Sequence, residues 1–136
     1  MIVVDTSVWI DFFAGRDTAQ VIFLLRRLDQ QDDEIALTDL ILAEILQGLR
    51  TDRDVQRVED RLSVFPVLRL SDLSDFRRAA ALYRSARQRG ITIRRTSDCL
   101  IASVCVREQV QLLHGDRDFD RLAEVTDLRI VRAGTG

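Results

Sequence analysis

Short β-branched, apolar runs alternate with longer segments of helical spacing along this chain, and this alternation limits the folds open to it. Ile2 to Asp5 predicts a short buried strand; Ile35 to Leu37, Val110 to His114 and Leu128 to Val131 are further strands, and Val67 to Leu70, after Pro66, is a weaker strand pattern. Helices are expected between them. Thr6-Ser7 is positioned to cap one that runs through Val8, Trp9, Ile10, Phe12 and Phe13 to Gly15, and Asp17-Thr18 starts another. Thr38 caps a third to about Leu49, and a polar helix runs from about Arg53 to Val64. A long helix starting between Ser71 and Asp75 reaches Arg89 and stops at Gly90. Thr96 or Ser97 caps the next, to about Gln109. Asp118 to Glu124 forms a short helix or turn, and Ala133 to Gly136 a tail. Strands separated by helices imply an α/β fold: a three-layer α/β/α sandwich around a short, mainly parallel sheet. Its 136 residues suit a single domain spanning 1–136.

Against this pattern, four acids fall where an acid has no structural reason to be. Asp5 ends the run Ile2-Val3-Val4. Glu44 interrupts Leu40-Ile41-Leu42-Ala43-Glu44-Ile45-Leu46. Asp98 opens Cys99-Leu100-Ile101-Ala102, and Asp116 follows Leu112-Leu113-His114-Gly115. A carboxylate is costly to desolvate and is rarely buried alone. Four of them on core-forming elements suggest convergence, and converging carboxylates need a cation. Hard oxygen donors favour magnesium or manganese. Parallel sheets place their sites at the carboxyl ends of strands, where Asp5 and Asp116 both fall. Taken singly, each acid also has an ordinary role: a cap for Asp5, a first-turn acid for Asp98, a turn residue for Asp116 and a wet helix stripe for Glu44.

Composition excludes several classes. No apolar run approaches the roughly 20 residues that span a bilayer, and no basic region precedes the first apolar run, so a cytoplasmic protein is expected. One histidine and two cysteines offer no familiar zinc spacing. Cys99 and Cys105 are expected as buried, reduced thiols on one helix. Net charge is −2, and every basic residue is arginine. The missing lysine argues against a phosphoacceptor receiver domain. The single acid in Asp5-Thr6-Ser7 argues against a haloacid-dehalogenase-type phosphatase, which needs Asp-x-Asp there.

In order and context, the acid motifs resemble those of PIN-domain ribonucleases of the VapC toxin type. Asp5-Thr6-Ser7 is similar to the opening motif of that family. Glu44 in Leu42-Ala43-Glu44-Ile45 matches the second acid and Asp98 in Ser97-Asp98-Cys99-Leu100-Ile101-Ala102 the third. His114-Gly115-Asp116-Arg117-Asp118-Phe119 matches the closing motif. The resemblance covers Ile2 to about Val131. It departs at His114, where the family often has Thr or Asn. The resemblance implies metal-dependent RNA hydrolysis, with Asp5, Glu44, Asp98 and Asp116 as catalytic ligands of magnesium or manganese and Asp118 as orienter or ligand. Thr6 and Ser7 are placed to support the carboxylates, and Arg94, Arg95 and Arg117 either offset acid repulsion or contact RNA phosphates, a solvated loop being the ordinary alternative. It also implies a cognate antitoxin and a homodimer; Trp9, Phe12, Phe13, Leu46 and Leu49 offer either an apolar groove for an antitoxin helix or ordinary core packing. The competing expectation is a PIN-fold module that binds protein or RNA without cleaving.

Overall fold

The protein is described by a computed structural model, covering residues 1–31 and 34–133. Five strands form one sheet in the order β3-β2-β1-β4-β5. They are β1 (Ile2–Val4), β2 (Ile35–Thr38), β3 (Val67–Leu68), β4 (Gln111–Leu113) and β5 (Arg129–Ile130). All four pairings are parallel. Every residue of β1 and β2 is buried, as expected of strands covered on both faces.

The helices are α1 (Thr6–Phe13), α2 (Ala19–Gln30), α3 (Asp39–Gln47), α4 (Asp52–Leu62), α5 (Leu73–Gln88), α6 (Thr96–Glu108) and α7 (Arg117–Val125). The chain leaves β1 towards β3 through α1–α4, then crosses back to β4 and β5 through α5–α7. Parallel crossovers are right-handed, so the reversal puts the two helix groups on opposite faces. Packing agrees: α1 meets α2 and α3, whereas α5, α6 and α7 meet one another. The expected three-layer α/β/α sandwich is therefore present. Among the described residues no helix is long and apolar enough to cross a membrane.

Local chemistry explains most helix ends. Thr18, Thr38 and Thr51 each accept an amide of the first turn. Gly15 (φ +73°) and Gly90 (φ +78°) take the left-handed conformation just past α1 and α5. Two expected caps fail. Thr6 and Ser7 lie inside α1, with Asp5 at the cap position, and neither Thr96 nor Ser97 caps α6, which starts from Arg95. Thr6 and Ser7 are drawn instead to carboxylates, as described below. The final segment expected as a tail is described only at Ala133, and residues 134–136 lie outside the described ones.

Helix α6 is buried almost all round, including Asp98, Cys99, Ile101, Ala102, Val104 and Cys105. Both cysteines are free and buried, and burial pushes their thiols up, to about 11 for Cys99 and about 12 for Cys105. A polar network pins α6 to α5. Asp75, with no exposed surface, accepts from Ser71 N–H at 2.7 Å, Ser71 Oγ at 3.1 Å and Arg78 at 2.9 Å, and pairs with Arg107. Ser103 Oγ donates to the Asp75 carbonyl at 2.8 Å. Against burial, the Ser71 N–H, Arg107 and the Ser71 hydroxyl hold the Asp75 carboxyl down at about 2. Since α6 carries Asp98, the network fixes the depth of that acid in the fold.

Candidate active site

The four singled-out acids meet. Asp5 leaves β1 and donates its N–H to the Leu113 carbonyl at 2.9 Å, extending the ladder towards β4. Asp116 follows β4 and caps α7 through the Asp118 N–H. Glu44 comes from α3 and Asp98 from the first turn of α6. All four line one cavity of about 420 Å³ together with Thr6, Ser7, Ile10, Arg94, Arg95, Gly115 and Arg117. Every expected site residue is therefore in this wall except Asp118. Asp5 and Asp98 are buried, at 6% and 4% exposed.

Side chains from the first helix hold two of the acids. Thr6 Oγ1 donates to Glu44 Oε1 at 2.8 Å, and Ser7 Oγ to Asp5 Oδ2 at 3.1 Å. The Gly115 N–H reaches Ser7 Oγ at 3.4 Å, tying the loop after β4 to the first turn of α1. On the other side Arg94 bridges two acids, with Nη2 on Asp116 Oδ1 at 3.0 Å and Nε on Asp118 Oδ2 at 3.1 Å. Its backbone N–H adds a bond to Asp118 at 3.2 Å. These contacts occupy the Asp118 carboxylate behind the cavity wall and hold its carboxyl below the usual range. By contrast, Asp98 Oδ2 is buried with no hydrogen-bond partner among the described residues.

Burial pushes the Asp5 carboxyl up to about 6, and the Glu44 charge adds to this. The Thr6 and Ser7 amides and the Ser7 hydroxyl oppose it. Asp98 rises to about 7, first from burial and then from the charges of Asp5, Asp116 and Glu44, with Arg95 opposing. The fold binds protons at these acids more tightly than the unfolded chain does. Metal-free protein therefore loses stability as pH rises from about 4 through about 7. His114, whose pKa is lowered mainly by burial, works in the opposite sense only below about 6.5. In chelator, the melting temperature is expected to rise as pH falls from 8 to 6.5, and saturating magnesium should flatten the slope. A flat profile in chelator would contradict the charge crowding.

The donor set is all oxygen, crowded and short of one partner at Asp98 Oδ2, which suits a hard divalent cation. Among the described residues no three acids already close around one ion position. Magnesium tolerates this, because it keeps several waters and needs only one or two direct carboxylates.

Some parts escaped the sequence. Trp9, expected in a partner groove, has no exposed surface; it packs against Phe12, Phe13 and Phe65 in the core. Ile10, 46% exposed on the cavity rim, looked like one more apolar residue of α1. The Ser7–Gly115 contact joins residues more than a hundred positions apart, beyond any local signal.

Residues 2–125 match the PIN domain family. The chain is 36% identical to Ribonuclease VapC11 of Mycobacterium tuberculosis over 129 residues, covering 95% of this chain and 96% of that protein. The fold is shared with VapBC2 from Rickettsia felis, solved bound to a DNA fragment from its promoter, at TM-score 0.75 and 20% identity over 96% of this chain and 98% of that one. A toxin-antitoxin complex from Klebsiella pneumoniae shares it at TM-score 0.72 and 17% identity, covering 97% of each chain. By these matches and by its acid motifs, the chain belongs to the PIN-domain family, among proteins of the VapC type.

Proposed function

We propose that this protein is a single-domain, cytoplasmic, magnesium- or manganese-dependent endoribonuclease. In this reading it is the toxin of a type II toxin–antitoxin pair, restrained by a cognate antitoxin and acting as a homodimer. The observation that carries the enzymatic part is the meeting of Asp5, Glu44, Asp98 and Asp116 on one cavity, with Asp98 Oδ2 unpartnered among the described residues. The ribonuclease name of the M. tuberculosis relative and the toxin-antitoxin complex that shares this fold support substrate and partner.

The four carboxylates would hold the cation, which when bound makes a water nucleophilic at neutral pH and stabilises charge on the phosphate. Thr6 keeps Glu44, and Ser7 keeps Asp5, turned into the cavity. Asp118 acts through Arg94: it holds the guanidinium whose other nitrogen holds Asp116. Arg95 and Arg117 line the same cavity and supply positive charge where an RNA backbone must approach an anionic centre.

The test is Glu44→Gln, assayed for manganese-dependent cleavage of a labelled RNA and for thermal stability. Thr6 can still donate to the glutamine oxygen, so the melting temperature should stay near that of the parent. Activity should fall at least about 100-fold, since losing groups that merely support a metal ligand costs about 10–100-fold. Retained cleavage with a large loss of stability would make Glu44 structural. A parent that neither binds manganese nor cleaves RNA would leave a binding module instead.

A further inference from the structure

His114 is only 7% exposed at the end of β4, and both its ring nitrogens are engaged. The Asp116 N–H donates to Nδ1 at 3.0 Å, so Nδ1 carries no proton. Nε2 therefore bears the hydrogen and donates to Asp120 Oδ1 at 3.0 Å. The Phe119 ring, 5.2 Å away between centroids, packs beside the imidazole. Asp116 meets the ring through its backbone amide and Asp120 through its carboxylate, and Glu124 and Arg132 line the same surface hollow as His114.

The loop between β4 and α7 is consequently held by two consecutive amides. Gly115 N–H goes to Ser7 Oγ, which itself donates to Asp5. Asp116 N–H goes to His114 Nδ1. The first bond sets the loop against Asp5; the second sets the backbone from which the Asp116 carboxylate projects. A Cβ on Gly115 would lie 3.5 Å from Ser7 Oγ, so this loop already packs against the start of α1. Asp120 and Phe119 fix the ring plane and, with burial, keep water from competing for Nδ1.

We propose that His114 is a positioning residue: its unprotonated Nδ1 orients the Asp116 amide, and so aims the Asp116 carboxylate into the acid cavity. This rests on the reading of that cavity as a cation site. The ring does not line the cavity, so it acts through Asp116 and not on substrate.

Two substitutions separate positioning from packing. In His114→Asn the side-chain oxygen stands near the place of Nδ1 and can accept the Asp116 amide. In His114→Gln the side-chain nitrogen stands near Nε2 and can serve Asp120, but the Nδ1 acceptor is lost. Manganese affinity is measured by calorimetry, with the KM and kcat for RNA, melting temperature and exchange of the Asp116 amide hydrogen. Nitrogen–proton correlation spectra of the parent report its imidazole tautomer. His114→Gln should lose about 10–100-fold in manganese affinity, with faster Asp116 exchange and a fall in kcat but little change in KM. His114→Asn should recover most of that loss. Equal losses in the two variants that track melting temperature, or a proton on Nδ1, would overturn the proposal. If the parent binds no manganese, the cation reading of the cavity fails. The tautomer and Asp116 exchange then still decide the role of His114: protected in parent and Asn variant but not in Gln supports it, and uniform exchange overturns it.

Discussion

Asp98→Asn should abolish cleavage and, in chelator, stabilise the protein. The two effects share one cause. Asp98 is 4% exposed, its carboxyl is pushed up to about 7, and its Oδ2 has no partner among the described residues. Near neutral pH without a cation, that charge is a cost the fold carries. Asparagine removes it, and with it the repulsion between position 98 and the charges of Asp5, Asp116 and Glu44. Each kcal/mol gained corresponds to roughly 3 °C in melting temperature for a domain of this size. With magnesium the order reverses. The parent gains stability in proportion to its occupancy, and the variant, short of one anionic donor, gains little. Cleavage should fall at least about 100-fold, as for other losses around metal ligands. Melting curves with and without magnesium, read beside an RNA cleavage assay, check both arms. An Asp98→Asn protein less stable than the parent in chelator would show that the acid is a structural partner.

The second large effect is purely structural. Asp75→Ala should destabilise the protein by about 3 kcal/mol, the lower end of what breaking a buried ion pair costs, because Arg78 and Arg107 keep partial access to water. It also leaves Ser71 and both guanidiniums short of an acceptor. The carboxyl is held down at about 2, so its contribution is fully present above about 4 and fades as pH falls towards 2. Denaturant titration at pH 7 and pH 3 tests this. The gap between parent and Asp75→Ala should be wide at pH 7 and narrowed at pH 3. A loss below about 1 kcal/mol at pH 7 would mean that the network is dispensable.

These two acids show what the sequence made legible and what it hid. Asp98 stood out because it opens an apolar run, and the same contrast exposed Asp5, Glu44 and Asp116; all four line one cavity. The alternation of apolar strands and helices gave the layer order for the same reason, since burial leaves a periodic trace. Asp75 left none. It lies in Ser74-Asp75-Phe76-Arg77-Arg78 near a helix start, where an acid is commonplace, and its partner Arg107 is on another helix. For Thr6 and Ser7 local propensity suggested caps and the motif suggested support of the carboxylates; the second holds, with the hydroxyls on Glu44, 38 positions from Thr6, and on Asp5. Asp118 followed the closing motif, yet Arg94 reaches it from 24 positions upstream and keeps it behind the cavity wall. Short-range patterns report which side of an element is wet; they do not report which distant group meets it.

The order β3-β2-β1-β4-β5 divides the chain functionally near Pro66. The piece before it brings Asp5 and Glu44, and the piece after it brings Asp98 and Asp116. The β1–β4 pairing is the seam along which they join. In the proposed reading the cation site draws two acids from each piece, so it is a property of their union. Whatever neutralises those four charges also staples the early and late parts of the polypeptide together.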